Sequence, residues 1–235
     1  MTIWWTARNA AEVPDGDGWL TESERAIAAD LAIDKRRREW RMGRWAAKQL
    51  LASIDSALTP PSVSILAAED GAPEAFRNGG RLDFSISISH RGSTAVAAAC
   101  DHGVVGCDLE AIEPRSARFV ADFFTAAEAA AIDQLPEVDK SLACAVVWSA
   151  KEAALKVRRT GLRRDTRSIE VELGATLAAS KSWAGLAITD HVDGGPLTGW
   201  WRVMDGELVL VVASDAPESG PPPDIASGSS GSQSF

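Results

Sequence analysis

The chain has 235 residues, 46% of them hydrophobic, and a formal net charge of −9. Such a length suffices for one large or two small packed domains, and the acidic balance argues against general nucleic-acid binding. No run of about 18 apolar residues offers a membrane span, and the start from Met1 to Arg8 has no basic leader followed by an apolar stretch, so a soluble cytoplasmic protein is expected.

Ile3 to Ala7 is a short apolar segment, followed by a turn rich in Gly, Asp and Pro. Thr21-x-x-Glu24 then offers a capping box for a helix ending near Leu31. The spacing predicts a second helix from Asp34 to Ile54, with Trp40, Gly43, Ala47, Leu50 and Ile54 as its buried stripe. Arg37, Arg41, Arg44 and Lys48 line a neighbouring face, either as a solvated row or as a phosphate-binding one.

Ser62 to Ala67 reads as a strand after Pro60-Pro61, and Leu82 to His90 alternates polar and apolar residues with the period of a half-buried strand. Ser93 to Cys100 and Val104 to Glu110 flank Asp101-His102-Gly103, which reads as a short hairpin loop. In the second of these strands Asp108 and Glu110 are two apart and share a face. Two adjacent carboxylates repel unless a cation sits between them, and hard oxygen ligands suit Mg²⁺; an exposed strand face is the other reading.

Glu113-Pro114-Arg115 reads as a crossover. Thr125-x-x-Glu128 is a second capping box, which gives Glu128 a structural explanation of its own. A helix from about Glu137 to Arg158 contains Trp148-Ser149-Ala150-Lys151-Glu152-Ala153-Ala154-Leu155-Lys156, in which Trp148, Glu152 and Lys156 share one face. Lys151 projects elsewhere and reads as a solvated neighbour. Ser168 to Leu173, Trp183 to Thr189, and a hairpin about Asp205-Gly206 complete the strands. The segment 217–235, rich in Pro, Ser and Gly, reads as a disordered tail. Cys100, Cys107 and Cys144 have no C-x-x-C spacing and are expected to be buried free thiols. Both halves mix helices with a closing hairpin, which hints at a structural repeat without a convincing sequence repeat.

The basic helix, the strand ending in Ser89-His90, Gly106-x-Asp108-x-Glu110, Phe123-Phe124-x-x-x-Glu128 and Trp148-x-x-Lys151-Glu152-Ala153-x-x-Lys156 together resemble the 4′-phosphopantetheinyl transferase superfamily, in its longer, Sfp-type class. The resemblance implies an α/β (α+β) fold of two similar subdomains forming an intramolecular pseudodimer, here 1–114 and 115–216. It implies transfer of the 4′-phosphopantetheine arm of coenzyme A to a serine of an apo acyl or peptidyl carrier protein, with release of 3′,5′-ADP, by a monomer with no nucleic-acid or membrane partner. Under it Asp108, Glu110 and Glu152 would hold Mg²⁺, with Mn²⁺ able to serve. Glu128 would be the base, with Glu152 and Lys156 also at the chemistry. Arg36, Arg44, Ser89, His90, Arg91 and Lys156 would contact coenzyme A. Where the family often has Gly-Lys-Pro or Gly-Arg-Pro, this chain has Gly71-Ala72-Pro73, and Arg91 is offered as the compensating cation. The alternative is a non-catalytic module binding coenzyme A or a carrier.

Overall fold

The computed structural model describes residues 2–173, 177, 181–193, 195–216 and 220–223. Most of the predicted tail, 217–235, therefore lies outside the described residues. Eleven strands and five α-helices are described. The N-terminal half contains β1 (Ile3–Asn9), α1 (Glu22–Asp30), α2 (Asp34–Ile54), β2 (Ser64–Ala67), β3 (Pro73–Arg77), β4 (Gly80–Arg81), β5 (Ser85–Arg91) and β6 (Thr94–Cys100). The remainder contains β7 (Val105–Ala111), α3 (Ala117–Phe123), α4 (Ala126–Asp133), α5 (Glu137–Val157), β8 (Ile169–Glu172), β9 (Ala184–Asp190), β10 (Gly195–Met204) and β11 (Leu208–Ser214). All strand pairs are antiparallel, in a sheet ordered β1-β6-β5, a sheet ordered β7-β11-β10-β9-β8 and a small sheet ordered β2-β3-β4.

The two larger sheets face each other, with α2 covering one and α5 the other. Alternation in β6 produces this layering. Ala95, Ala97 and Ala99 pack beneath α2, while Val96, Ala98 and Cys100 turn toward the second sheet and meet Cys107, Leu109, Leu210 and Val212. The same period in β7 sends Cys107 and Leu109 into the core between the sheets and leaves Gly106, Asp108 and Glu110 toward α5. Gly106 allows the helix to come close, since a Cβ there would lie 2.0 Å from the Ala153 carbonyl oxygen. All three cysteines are buried and free, as expected.

Both capping boxes form, with Thr21 and Thr125 as N-caps. The sequence reading needs correction at the loop Asp101-His102-Gly103, which does not join a hairpin. Strand β6 pairs with β1 and β5, whereas β7 pairs with β11, so the chain there passes from one sheet to the other. The Asp-x-Glu strand, expected within the segment 1–114, thereby joins the sheet built by the C-terminal half. Its free edge is met by three serines of β5: Ser85, Ser87 and Ser89 accept hydrogen bonds from the backbone N–H groups of Val105, Cys107 and Leu109 at 3.1, 2.9 and 3.3 Å. An edge that would otherwise leave buried donors unpaired becomes the seam between the halves.

Candidate active site

Asp108, Glu110, Glu152 and Lys156 meet where β7 passes beneath α5. Lys156 lies 2.8 Å from Asp108 Oδ1 and 2.9 Å from the Cys107 carbonyl oxygen, and Ser89 donates its hydroxyl to the same Asp108 oxygen at 2.8 Å. Asp108 Oδ2 is buried with no hydrogen-bond partner. Glu110 accepts from the Trp148 indole at 3.1 Å and from Arg115 at 2.8 Å. The indole packs edge-on against Phe119 and Phe123, so Trp148 fixes the helix against the strand.

The Glu152 side chain makes no hydrogen bond or ion pair among the described residues. Its carboxyl is pushed up to about 7, first by burial and then by the charges of Asp108 and Glu110, with Lys156 opposing. Burial works against the Lys156 ammonium, but Asp108, the Cys107 thiol and Glu152 outweigh it and raise the pKa. Among the described residues no three His, Cys, Asp or Glu side chains are gathered tightly enough to ligate an ion as they stand. The chemistry of the group nevertheless suits a hard cation: three carboxylates converge, one buried oxygen is unpartnered, and one carboxyl is hard to ionise without a further positive charge.

A groove approaches this group from the N-terminal half. A cavity of about 540 Å³ is lined by Lys35, Arg36, Trp40, Arg44, His90 and others, and shares Gly71, Pro73 and Ile88 with a second cavity that reaches Lys156 and Arg159. Arg36, Arg44 and His90 thus line one cavity, with the Arg44 guanidinium stacked 4.7 Å from the Trp40 ring centre.

Other residues fall elsewhere. Ser89 is buried and spends its hydroxyl on Asp108 and the β7 backbone. Arg91 pairs with Glu113 at 2.7 Å and approaches Glu110 at 3.7 Å, on the carboxylate side rather than in the groove. Lys48 and Lys151, read as surface cations, are both fully buried, against Glu24 and Glu128 respectively.

The sequence reading did not place Arg159 among the coenzyme A contacts, yet it lines the groove beside Ala72 and is held by Asp70 at 2.6 Å and Glu74 at 3.1 Å. Its φ of 56° is left-handed, an uncommon conformation for a side chain other than glycine. It also missed Arg115, hidden in what looked like a simple crossover. Neither carries a local signal beyond its place in a run of charges.

Residues 104–211 match the family model of the 4′-phosphopantetheinyl transferase superfamily, and residues 22–100 match that of a 4′-phosphopantetheinyl transferase N-terminal domain. The 4′-phosphopantetheinyl transferase AcpT of Salmonella typhimurium is 30% identical over 158 residues, covering 66% of this chain and 76% of the relative. AcpT of Salmonella typhi matches with the same identity and coverage. The chain belongs to the 4′-phosphopantetheinyl transferase superfamily. The separate N-terminal match fits the longer, Sfp-type class that the motifs resemble. In this transferase the superfamily match spans both site motifs, from the Asp108 strand through the Lys156 helix. Among the described residues no helix is long and apolar enough to cross a membrane.

Proposed function

We propose that the protein transfers the 4′-phosphopantetheine arm of coenzyme A to a serine hydroxyl of an apo acyl or peptidyl carrier protein, releasing 3′,5′-ADP, as a holo-[acyl-carrier-protein] synthase type enzyme acting as a cytoplasmic monomer. The observation that carries this reading is the double membership of Lys156: it binds Asp108 and also lines the groove that leads to the basic residues of α2. A substrate with phosphates along its length could lie in that groove with its scissile phosphoanhydride at the carboxylates.

Arg36, Arg44 and His90 supply the cationic wall that would hold the nucleotide phosphates. Asp108, Glu110 and Glu152 would hold Mg²⁺, or Mn²⁺ in its place, and the ion when bound neutralises charge developing on the phosphoanhydride. Ser89 would act through Asp108, whose oxygen it holds. Lys156, kept protonated by its acidic neighbours, would meet the charge growing on the departing 3′,5′-ADP. The carrier serine must lose a proton as its oxygen attacks. The family resemblance suggests Glu128 for this, and the burial of that carboxylate against Lys151 stands in the way.

Two surfaces are candidates for carrier docking, an apolar one about Phe123-Phe124 and an Arg-rich one between Arg158 and Arg167. Phe124 is buried, Arg158, Arg159, Arg164 and Arg167 are each paired with a carboxylate, and Arg163 donates to the backbone carbonyl oxygens of Asp70 and Arg159, so an apolar surface beside Phe119 and Phe123 serves the reading better than a strongly electrostatic one. The test is Glu152→Gln with purified carrier and a Mg²⁺ titration. Loss of transfer together with weakened Mg²⁺ binding supports the assignment, and transfer near the wild-type rate overturns it. Coenzyme A binding by the wild-type protein without modification of any carrier would point instead to a binding module.

A further inference from the structure

Glu128 and Lys151 side chains are 1% and 0% exposed and 2.9 Å apart. Both oxygens of Glu128 are occupied: Oε1 accepts from the Val171 N–H at 2.8 Å, and Oε2 accepts from the Thr125 N–H at 2.7 Å and faces Lys151. Lys151 completes its donors on the carbonyl oxygens of Thr166 and Ile169.

The N-terminal half repeats this arrangement group for group. Glu24 caps α1 with Thr21 and accepts from the Ile65 N–H at 3.0 Å. It pairs with Lys48, which also donates to the carbonyl oxygens of Trp19 and Pro60. Lys48 and Lys151 are each the fifteenth residue of a 21-residue helix, within Trp45-Ala46-Ala47-Lys48-Gln49 and Trp148-Ser149-Ala150-Lys151-Glu152.

The two copies differ where the chemistry lies. Gln49 stands in the place of Glu152. Thr6 and Arg8, the fourth and sixth residues of β1, stand in the places of Asp108 and Glu110, the fourth and sixth of β7. A half without the carboxylate group has kept the buried Glu–Lys pair. In the C-terminal half, too, the pair stands apart from the site. Lys151 pairs directly with Glu128, with Glu170 and Asp165 as its next strongest carboxylates, while Glu152 feels chiefly Asp108, Lys156 and Glu110. Adjacent helix positions point about 100° apart, so Lys151 can anchor one face of α5 while Glu152 serves another.

We infer that Glu128 is a positioning residue, which through Lys151 fixes the rotation of α5 that aims Glu152 and Lys156 at β7, and that it does not take the serine proton. The inference rests on the proposed transfer reaction for its chemical half and on the duplicated geometry for its structural half. Burial lowers the ammonium pKa of both Lys48 and Lys151 despite their carboxylate partners, as expected of a matched pair of structural contacts.

The test compares Glu24→Gln, Glu128→Gln and the double variant Glu128→Gln/Lys151→Met in the full chain, with wild type alongside. The expected result is a similar loss of denaturation midpoint in the two single variants. Mg²⁺ affinity should fall several-fold in Glu128→Gln and stay unchanged in Glu24→Gln. The double variant, which removes both charges together, should fold and keep kcat within about tenfold of wild type, with the pH profile at the same midpoint. Folded Glu128→Gln with wild-type Mg²⁺ affinity, kcat reduced by about 10²–10⁴ and one limb of the pH profile gone would overturn the inference, because that is the loss expected of a general base. Absence of transfer by wild type would refute the proposed reaction instead, and the midpoint and Mg²⁺ comparisons would still decide the positioning role.

Discussion

Lys156 Nζ lies 2.8 Å from Asp108 Oδ1, so a single ammonium joins the helix of the Lys-Glu motif to the strand of the Asp-x-Glu motif. The Asp108 side chain is 6% exposed and Lys156 is 28% exposed, which makes the contact stronger than a surface pair. Lys156→Met would leave a buried carboxylate with only Ser89 as a side-chain donor. The expected loss is about 1–3 kcal/mol in denaturant unfolding. Transfer should fall mainly in kcat, because the missing charge is needed most as the leaving group departs.

The raised Glu152 carboxyl gives a pH dependence with a definite sign. An unfolded glutamate titrates near about 4.3, whereas folded Glu152 titrates at about 7 because of burial and of Asp108 and Glu110. The folded state therefore holds the proton more tightly, and this stabilisation is full below the unfolded value and lost as pH rises through about 7. In metal-free buffer wild type should lose on the order of 1–2 kcal/mol over that window relative to Glu152→Gln, since partial exposure screens the carboxyl. Stabilisation by added Mg²⁺ should grow over the same window, since ligation needs the ionised carboxylate. Unfolding curves across pH, with chelator and with Mg²⁺, check both statements.

Arg159, in the groove, contrasts with Arg91, outside it. Arg159 stands beside Ala72, where the resemblance leads one to expect a basic residue, while Arg91 is committed to Glu113. Arg159→Gly relieves a left-handed backbone while removing the half-buried pairs with Asp70 and Glu74, so stability should change by about 1 kcal/mol or less. Its KM for coenzyme A should rise about tenfold through loss of one charge-assisted phosphate contact. Arg91→Ala should leave that KM within about twofold. Equal effects of the two substitutions on KM would contradict this assignment of the groove.

Ser87 tests the seam between the sheets from the floor of the groove that reaches Lys156. It is 3% exposed and accepts from the Cys107 N–H at 2.9 Å. Ser87→Ala leaves that donor buried and unpaired, and should destabilise the protein by about 1–3 kcal/mol in equilibrium unfolding.

Much of this could be read from the residues because it is local. Helix α2 has the predicted limits of Asp34 and Ile54, and both capping boxes form from contacts three residues apart. The face shared by Trp148, Glu152 and Lys156 follows from helical spacing, and the face shared by Asp108 and Glu110 from strand alternation. What escaped depends on distant partners. The polar face of β5 was visible as a row of serines, but the β7 edge they satisfy lies about 20 residues on, in another sheet. Lys48 and Lys151 looked like surface charges because their carboxylates lie 24 and 23 residues earlier in the chain, and capping alone already accounted for Glu128. The Thr-x-x-Glu and Trp-x-Ala-Lys pairs are the one sequence trace of the repeat, too short to be recognised before the two buried networks are seen side by side.

The central claim is that the carboxylates beside Lys156 carry out phosphopantetheinyl transfer. Intact-mass measurement of a panel of apo carrier proteins, incubated with coenzyme A and Mg²⁺, tests it most directly when run with wild type and with Asp108→Asn. The account predicts that wild type adds one phosphopantetheinyl group to at least one carrier and releases an equal amount of 3′,5′-ADP, and that Asp108→Asn, folded, adds little or none. Transfer by Asp108→Asn at near the wild-type rate, or no mass gain on any carrier with wild type, would contradict it.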